Sequence, residues 1–408
     1  MAKYNYKRDV FKGLTPFPFL GEVKTRVKEI EAAPDTVPQS VFNPNVLAKR
    51  LHPAVQHCVI ASVADHGDAK SFTLVPDAEK GTVEMAYFRA SQYVSVSLNI
   101  NGAPVNKPYT IRSNPKDALG TVNTSYTLTV KRTNPSYASG WILDNWKEGD
   151  KVDISGPLGD FYYQSLKDAK DVIAIAGGSG ITPFYSMAAA IVDGIEDFNM
   201  TILYGSRTSD GILLKDEIEA LAERSNGRVK VVHVLSHEEK EGYEHGFITA
   251  ELIKKYAPEG DYSVFMCGPK AMYTFCEGEC VKLGLKKRRY RAEMSGDYMG
   301  VTKNADFPAG MEGKEFKLTV DIRGEKQTVP CKASESLLWA MEQAGIKAPS
   351  HCRSGECGWC HSRLVSGEYF CPKEADGRRM ADAKFGWIHP CCTYPMSDME
   401  ICVYPTEQ

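Results

Sequence analysis

The stretch Cys352-Arg-Ser-Gly-Glu-Cys357-Gly-Trp-Cys360 places three cysteines in one short loop. Four residues separate the first pair and two separate the second, so thiolates of a single tight turn can reach a common [2Fe–2S] cluster. Gly355 and Gly358 let backbone N–H groups approach sulfur, and such hydrogen bonds tune the potential. A zinc site or unrelated thiols are the alternatives, but the glycine content and the C-terminal position favour the iron–sulfur cluster.

The overall composition is typical of a globular intracellular protein, except that the chain contains many cysteines. The chain has 408 residues, a formal net charge of −3 and 12 cysteines. In a large intracellular chain, cysteines serve as metal ligands or reactive thiols before they serve as disulfides. Eight of the twelve lie from residue 331 onward. The C-terminal quarter is therefore predicted to be a separate cysteine-bearing module.

The same composition excludes several functional classes. The charge balance gives no reason to expect nucleic acid as a partner. No apolar run approaches the length that spans a bilayer, and the N-terminus, MAKYNYKRDVFKG, lacks the apolar core of a signal peptide. We therefore expect a cytoplasmic protein without a membrane span.

Changes of pattern along the chain predict a multidomain protein. The predicted segments are an N-terminal extension over 1–53, an antiparallel β-barrel over 54–165, an α/β domain with a parallel sheet over 166–296, a linker over 297–313 and an α+β domain over 314–408.

Alternating or β-branched runs predict the strands, and apolar periodicity predicts the helices. In the barrel the predicted strands are Val55–Val63, Ser71–Val75, Gln92–Asn99 and Tyr126–Lys131. In the α/β domain they are Val172–Ala176, Thr201–Tyr204, Val229–Leu235 and Ser263–Cys267, with helices over Thr182–Val192, Lys215–Ala222 and from Pro269 onward. In the last domain a predicted hairpin of Phe316–Ile322 with Gln327–Cys331 precedes a predicted helix over Ser336–Ala344. In the N-terminal extension, Asn43-Pro44 is predicted to begin a short helix that ends at Leu51.

A glycine-rich loop, Ile175-Ala-Gly-Gly-Ser-Gly-Ile-Thr-Pro183, follows a predicted strand and begins a predicted helix. Free backbone N–H groups at a helix start attract phosphate, and glycines let a pyrophosphate come close. Many structural turns are also glycine-rich, so it is the position between strand and helix that favours nucleotide binding.

Two further stretches, Tyr204-Gly-Ser-Arg207 and Cys267-Gly-Pro269, each end a predicted strand. With the glycine-rich loop they resemble the NAD(P)H-binding domain of the ferredoxin–NADP reductase superfamily. The alternative for Cys267 is a buried cysteine at a strand end. The resemblance implies that the pyrophosphate and nicotinamide lie along Gly177, Gly178, Gly180 and Thr182, that the adenosine ribose lies near Arg207, and that nicotinamide meets flavin at Cys267, Gly268 and Pro269.

The barrel carries stretches similar to the flavin motifs of the same superfamily. Lys107-Pro-Tyr-Thr-Ile111 resembles R-x-Y-S/T, Ser91-Gln-Tyr-Val94 resembles G-Q-Y, and Pro-Ser-Tyr-Ala-Ser139 resembles the G-x-x-S pyrophosphate turn. Tyr109 offers a ring face to the isoalloxazine, Thr110 a hydroxyl near N5, and Ser139 a cap for a helix that can bind phosphate.

Two residues depart from these flavin motifs. Lys107 stands where the superfamily has arginine, which replaces a bidentate fork by a point charge, and Ser136 stands where it has glycine. Arg112 is an alternative phosphate anchor, or else an exposed strand residue.

The C-terminal stretch HCRSGECGWCHSRLVSGEY, with CCTYP downstream, resembles the plant-type ferredoxin domain, a β-grasp fold, with Trp359 where the family has a small residue. That family supplies a fourth ligand four residues before a proline, which selects Cys391 from the later cysteines Cys371, Cys391, Cys392 and Cys402. Neighbouring side chains on an extended backbone point in opposite directions, so Cys392 is not expected to ligate the same cluster. The implied ligands are Cys352, Cys357, Cys360 and Cys391.

Together the resemblances imply an NAD(P)H-dependent iron–sulfur flavoprotein reductase of the oxygenase-reductase type. NAD(P)H would reduce a flavin, FAD or alternatively FMN, beside Cys267, Tyr109 and Thr110, and electrons would pass through the cluster to a protein acceptor such as an oxygenase. Two other functions stay open: an electron-transfer subunit of a larger anaerobic redox complex, and a redox sensor.

Overall fold

The structure is a computed structural model that describes residues 20–33, 42–120, 123–133, 137–293, 296–298 and 300–404. Its contacts divide the chain into a unit that ends at Leu47 and a second unit that begins at Ala48. Helix α1 (Leu20–Ala32) lies in the first unit. Helix α2 (Asn43–Leu51) confirms the short helix predicted before Pro53.

The first sheet is antiparallel and curls into a barrel. Its strands are β1 (Gln56–Asp65), β2 (Ala69–Pro76), β3 (Tyr93–Ile100), β4 (Ala103–Thr110), β5 (Tyr126–Lys131) and β6 (Lys151–Ile154), and helix α3 (Ala138–Asn145) follows β5. Their order is β4-β3-β6-β1-β2-β5. A bridge between Ile111, just after β4, and Leu128 in β5 joins the two edges. The four predicted strands are confirmed.

The second sheet is parallel and is covered by helices. Its strands are β7 (Asp171–Gly177), β8 (Asn199–Ser206), β9 (Val229–Leu235), β10 (Glu244–His245), β11 (Tyr262–Cys267) and β12 (Tyr290–Ala292). The helices are α4 (Thr182–Val192), α5 (Lys215–Arg224), α6 (Ala250–Tyr256) and α7 (Lys270–Lys282). All but the first residue of β7 are buried, as expected for a parallel strand covered on both faces.

The third sheet belongs to the cysteine-bearing part. Its strands are β13 (Glu315–Ile322), β14 (Glu325–Lys332), β15 (Ser362–Ser366), β17 (Trp387–Ile388) and β19 (Met399–Val403), and a small pair is formed by β16 (Tyr369–Phe370) and β18 (Tyr394–Pro395). Helices α8 (Leu337–Gln343) and α9 (Met380–Lys384) complete it. Ser336 caps α8 by accepting a hydrogen bond from the Trp339 N–H.

Aromatic contacts join the three sheets. Phe161, after the barrel, lies with its ring centroid 5.3 Å from that of Phe265 in β11. Tyr137, before α3, lies 4.7 Å from Trp339 of α8 in an edge-to-face contact. The barrel therefore packs on the parallel sheet and on the third sheet. No helix within the described ranges is long and apolar enough to cross a membrane.

Candidate functional site

The glycine-rich loop is pressed against the end of strand β11. It forms a 3-10 turn, Gly178–Ile181, between β7 and α4. A Cβ added at Gly180 would lie 2.1 Å from the carbonyl oxygen of Cys267, and one at Gly177 would lie 2.6 Å from the Met272 sulfur. Only glycine fits at Gly180, because the backbone of Cys267 is in the way, and at Gly177 a side chain would also meet the Pro269 ring at 2.7 Å.

The other side of the loop is open. Gly178 has φ +54°, and a Cβ added there would meet no described atom within 4 Å. The Tyr204 hydroxyl on strand β8 donates to the Gly178 carbonyl at 3.0 Å and so holds the turn in place. A backbone held in this way, with free space on one face, fits a dinucleotide pyrophosphate.

The sheet order places this loop at a switch point. Strand β7 lies between β8 and β11. Strands β8, β9 and β10 follow one another on one side of β7, and β11 and β12 lie on its other side, so the order of the strands reverses at β7. In open parallel sheets, ligands bind beyond the carboxyl ends of strands at this point. The structure brings Gly177, Gly178 and Gly180 together here with Cys267 and Gly268.

The predicted ribose end lies at the end of β8. Arg207 is exposed, and its carbonyl accepts from the His237 N–H at 3.0 Å. The Ser206 hydroxyl is buried without a hydrogen-bond partner among the described residues. The exposed side chain of Arg207 is accessible to a ribose or phosphate, and its role there stays a prediction.

Cys267 is half-buried at the end of β11, and burial raises the pKa of its thiol well above the usual range. Its side chain is hydrogen-bonded to Tyr273, whose hydroxyl donates to the carbonyl of Glu293. The thiol is therefore neutral. It can pack against a nicotinamide or flavin ring but does not present a thiolate.

Sequence reasoning did not identify Glu293 as a site residue. It follows β12, is buried, and its N–H donates to the Met266 carbonyl at 3.0 Å. Burial, with the nearby carboxylates of Glu356 and Asp160, raises its pKa to about 8. A carboxylic acid that keeps its proton at neutral pH lies between the nucleotide loop and the barrel.

The flavin motif lies on strand β4, where Thr110 pairs with Tyr93 and Lys107 with Val96 of β3. Burial raises the pKa of the Tyr109 hydroxyl. The Lys107 ammonium, predicted to anchor phosphate, is ion-paired with the carboxylate of Asp297. Its role as phosphate anchor stays a prediction, and Asp297 is a partner that the sequence did not indicate.

Ser139 does not cap helix α3, contrary to the prediction. The capping position is Tyr137, which makes no side-chain capping bond, while the Ser139 hydroxyl accepts from the Thr133 N–H at 3.2 Å. Ser139 is already inside the helix, so its side chain turns back to the preceding strand. Ser136 lies outside the described residues.

Arg112 is half-buried rather than exposed. Its guanidinium lies 4.6 Å from the ring centroid of Tyr185, and its Nε is buried without a hydrogen-bond partner among the described residues. It therefore remains an alternative anchor for a flavin phosphate.

The predicted ligand sulfurs form two pairs. Cys352 is hydrogen-bonded to Cys357 and also accepts from the Cys357 N–H at 3.4 Å. The sulfurs of Cys360 and Cys391 are 3.5 Å apart. Within the described ranges no three His, Cys, Asp or Glu side chains gather around one point as a single-ion site requires. Two thiol pairs, one within the Cys352 loop and one between that loop and the turn at Cys391, fit a cluster with two irons.

Cys392 has other partners. Its sulfur lies 3.8 Å from that of Cys371, and its thiol donates to the His389 carbonyl at 3.5 Å. The backbone at Pro390–Cys392 is a 3-10 turn and not the extended segment that the sequence argument assumed. Cys391 and Cys392 are therefore not on opposite faces, and their thiols contact each other. Cys391 remains the predicted fourth ligand, because it is the one that meets Cys360.

The loop 352–360 with its three cysteines, here called the cluster loop, is hydrogen-bonded to strand β4. We call β4 the flavin strand, because it carries the predicted flavin motif. The Arg353 guanidinium donates to the Asn106 carbonyl at 3.2 Å, and the Asn106 amide donates to the Ser350 carbonyl at 3.3 Å. Asn106 immediately precedes Lys107. The residues beside Cys352, the first predicted cluster ligand, and those of the predicted flavin motif are thus held at a fixed separation.

Comparison with known families gives three matches in the order that the sequence predicted. The chain matches the oxidoreductase FAD-binding domain over residues 58–163, the oxidoreductase NAD-binding domain over 174–278 and the 2Fe-2S iron–sulfur cluster binding domain over 320–396. Each match lies inside one of the predicted domains.

Individual relatives agree with these matches. The ferredoxin reductase component of a 3-ketosteroid-9-alpha-monooxygenase from Mycobacterium tuberculosis is 31% identical over 278 residues, 66% of this chain and 74% of the relative. The reductase subunit of a glycine betaine monooxygenase from Pseudomonas aeruginosa is 27% identical over 327 residues, 77% of this chain and 87% of the relative. The solved structure of phthalate dioxygenase reductase is similar in fold, with a TM-score of 0.60 and 24% identity, and the match covers 86% of this chain and 98% of that one.

The chain belongs to the ferredoxin–NADP reductase superfamily, in the oxygenase-reductase type with a C-terminal plant-type [2Fe–2S] domain. It is an NAD(P)H-dependent oxidoreductase in which electrons pass from NAD(P)H through a flavin to a [2Fe–2S] cluster. The predicted multidomain fold and the expected cofactors, FAD, NAD(P)H and the cluster, are confirmed.

A bound flavin would supply the conversion of a hydride into single electrons, and a bound cluster would supply one-electron transfer. For the protein's own part, the prediction is that the open face of Gly178 would hold the nucleotide and that Cys267 and Tyr109 would contact the rings, while the loop of Cys352 is hydrogen-bonded to strand β4.

Proposed function

We propose that this reductase passes the electrons of its cluster to a separate protein acceptor of the oxygenase class. The relatives named above are reductase components of monooxygenases, which supports that class of acceptor. A cytoplasmic location is part of the proposal, and it is supported by the finding that none of the twelve cysteines is paired in a disulfide.

The proposal also keeps the residues and borders inferred from the sequence. The domain borders fall after residues 53, 165, 296 and 313. The ligands are Cys352, Cys357, Cys360 and Cys391. Nucleotide and flavin are held by Lys107, Tyr109, Thr110, Ser139, Gly177, Gly178, Gly180, Thr182, Arg207, Cys267, Gly268 and Pro269.

The observation that supports an external acceptor is the exposure of Trp359. This indole lies in the loop between Cys357 and Cys360, and 40% of its surface is accessible. Its ring centroid is 4.5 Å from that of His351, which holds it in place beside the loop. An exposed aromatic ring next to two cluster ligands offers a partner protein an apolar contact at the edge of the electron carrier.

The test uses cytochrome c as a one-electron protein acceptor and the Trp359→Ala variant. We expect transfer to cytochrome c to slow by about tenfold, which corresponds to about 1.4 kcal/mol, because the docking contact is lost. Reduction of the protein's own cluster by NADH, followed anaerobically by absorbance, should keep its rate.

The matched control is Phe247→Ala, which removes an aromatic ring that is 66% exposed from the nucleotide-binding part. It should leave both rates unchanged. Transfer to cytochrome c at the parent rate in Trp359→Ala would contradict the proposed docking contact. Purification with tightly bound partner chains would instead favour a subunit of a larger redox complex.

A further inference from the structure

Two cysteines outside the predicted ligand set lie side by side. The sulfurs of Cys371 and Cys392 are 3.8 Å apart. The short strands β16 and β18 bring them together, since Phe370 pairs with Tyr394 and the two cysteines lie just beyond that pair. The proximity follows from the fold of the third sheet, which ends both strands at the same place.

The separation is within reach of a covalent bond. A disulfide has an S–S length of about 2.05 Å, so the two sulfurs must approach by roughly 1.8 Å. Rotation about one Cα–Cβ bond moves a sulfur atom farther than that. Each thiol also makes a long contact to a carbonyl oxygen, Cys371 to Pro372 at 3.8 Å and Cys392 to His389 at 3.5 Å.

The two thiols differ in accessibility. Cys371 is half-buried, whereas Cys392 is 0% exposed. Cys392 lies beneath the cluster loop, where a Cβ added at Gly355 would come within 2.9 Å of its sulfur. A reagent from solution therefore meets Cys371 first, and Cys392 is placed to react with whatever forms there.

We propose that Cys371 and Cys392 form a redox-modifiable dithiol that low-molecular-weight disulfides convert into an intramolecular disulfide. The Cys371 sulfur attacks the reagent disulfide, which releases one reagent thiol and leaves a mixed disulfide on Cys371. The Cys392 sulfur then displaces the second reagent thiol. Two protein thiols are oxidised, one reagent disulfide is reduced to two thiols, and the two protons from the cysteines are carried by the released thiols.

The pair is also connected to the predicted cluster ligands. Cys392 contacts Cys391, whose sulfur is 3.5 Å from that of Cys360. Closing the disulfide converts the Cys392 thiol that contacts Cys391 into a bonded sulfur without a proton. The surroundings of the cluster change with the oxidation state of a pair that does not itself bind iron.

The test treats the anaerobically purified, fully loaded protein with oxidised glutathione and then blocks free thiols before tryptic peptide mapping. Trypsin can cleave at Lys373 and Lys384, which separates the two cysteines, so a disulfide appears as a linked peptide pair. We expect about one Cys371–Cys392 link per chain at unchanged iron content. Dithiothreitol should remove the link.

Three variants make the mapping specific. Cys371→Ser should abolish the link, and Cys392→Ser should leave glutathione attached to Cys371. Cys402→Ser, which changes a half-buried cysteine on β19, should leave the link intact. The visible circular dichroism of the oxidised cluster should shift on treatment of the parent and not of Cys392→Ser.

Several results would overturn the proposal. These are an unlinked Cys371 and Cys392 at full iron content, a link from Cys371 to Cys391, an unmodified Cys371 in Cys392→Ser, or an unshifted spectrum after the link has formed.

Discussion

The guanidinium of Arg353 makes a bidentate ion pair with the carboxylate of Glu342, and each residue is only 1% exposed. Arg353 follows the first cluster cysteine, and Glu342 lies on α8. The Nε of Arg353 also donates to Asp297 at 2.7 Å, and Asp297 is paired with Lys107 of the flavin strand. Burial alone would raise the pKa of Asp297, but Arg353 and Lys107 outweigh it and hold that pKa well below the usual range. These four side chains form a charge network between the flavin strand and the cluster loop, in which Arg353 and Glu342 are buried and Lys107 and Asp297 are half-buried.

We expect Glu342→Leu to destabilise the protein by about 3–5 kcal/mol, because it leaves a buried guanidinium with one partner fewer. The loss of a fixed loop position should also slow electron transfer from flavin to cluster by about tenfold or more. Stopped-flow absorbance after mixing with NADH measures the second effect, with iron content as a check.

Lys326→Gln is the matched control for this network, because it breaks an exposed ion pair with Glu400 in the same part of the chain. Exposed pairs contribute about 0–1 kcal/mol. Equal destabilisation in the two variants would show that the charge network has no special role.

Lys107→Ala is expected to weaken flavin binding by about tenfold, since it removes the predicted phosphate partner, and Lys107→Arg should retain or tighten it. Fluorescence of released flavin during dilution measures both. Asp297→Asn separates the two roles of Lys107, because it removes the ion pair and keeps the ammonium. Parent-like flavin binding in Lys107→Ala, together with loss in Arg112→Ala, would transfer the anchoring role to Arg112.

Gly178→Val is expected to raise the Kd for NAD(P)H by about tenfold or more and to leave the flavin bound. A side chain there meets no described atom, so it projects into the space predicted for the pyrophosphate. Gly194→Val is the control, because Gly194 also has a positive φ, +71°, and open surroundings but lies after α4. It reports the cost of backbone strain alone. Equal nucleotide affinity in Gly178→Val and the parent would exclude this loop as the phosphate site.

The sequence predicted the three sheets well because their signals are local. Alternation within β1 and β5 and the buried run of β7 reflect the faces that these strands cover. Strand β4 was missed, since Pro104 and Pro108 interrupt its pattern and its strand character comes from pairing with β3. Strand β6 has only four residues.

The residues of the candidate site also divide into those that a local sequence motif indicates and those that only the fold brings together. Cysteine spacing and glycine loops are local, so the sequence could indicate them. The charge network could not be predicted, because Lys107 and Asp297 are 190 positions apart in the sequence. In addition, Asp297 lies in the segment predicted to be a linker. The cap assigned to Ser139 was wrong because the helix begins earlier than the motif suggested.

Cys391→Ser is expected to lose most of the cluster, and Cys392→Ser is expected to keep it. The Cys391 sulfur meets that of Cys360, whereas Cys392 meets Cys371. Iron content and the electron paramagnetic resonance spectrum of the reduced protein measure the difference. Cluster loss in Cys392→Ser with a normal spectrum in Cys391→Ser would reverse the assignment.

Glu293→Gln is expected to change how stability depends on pH. The carboxyl has a pKa of about 8 in the folded protein, against 4.5 as the ordinary value, chiefly because it is buried. Its proton stabilises the folded state fully below about pH 4.5. That contribution falls as pH rises, because the unfolded chain releases the proton first, and it is gone above about pH 8. Glutamine carries no such proton, so the Tm of the variant should rise relative to that of the parent between pH 5 and pH 8 and then stay level. Thermal unfolding at a series of pH values measures this, with Glu312→Gln as an exposed control. A difference in Tm that is the same at pH 5 and pH 8 would show that Glu293 does not hold a proton in the folded protein.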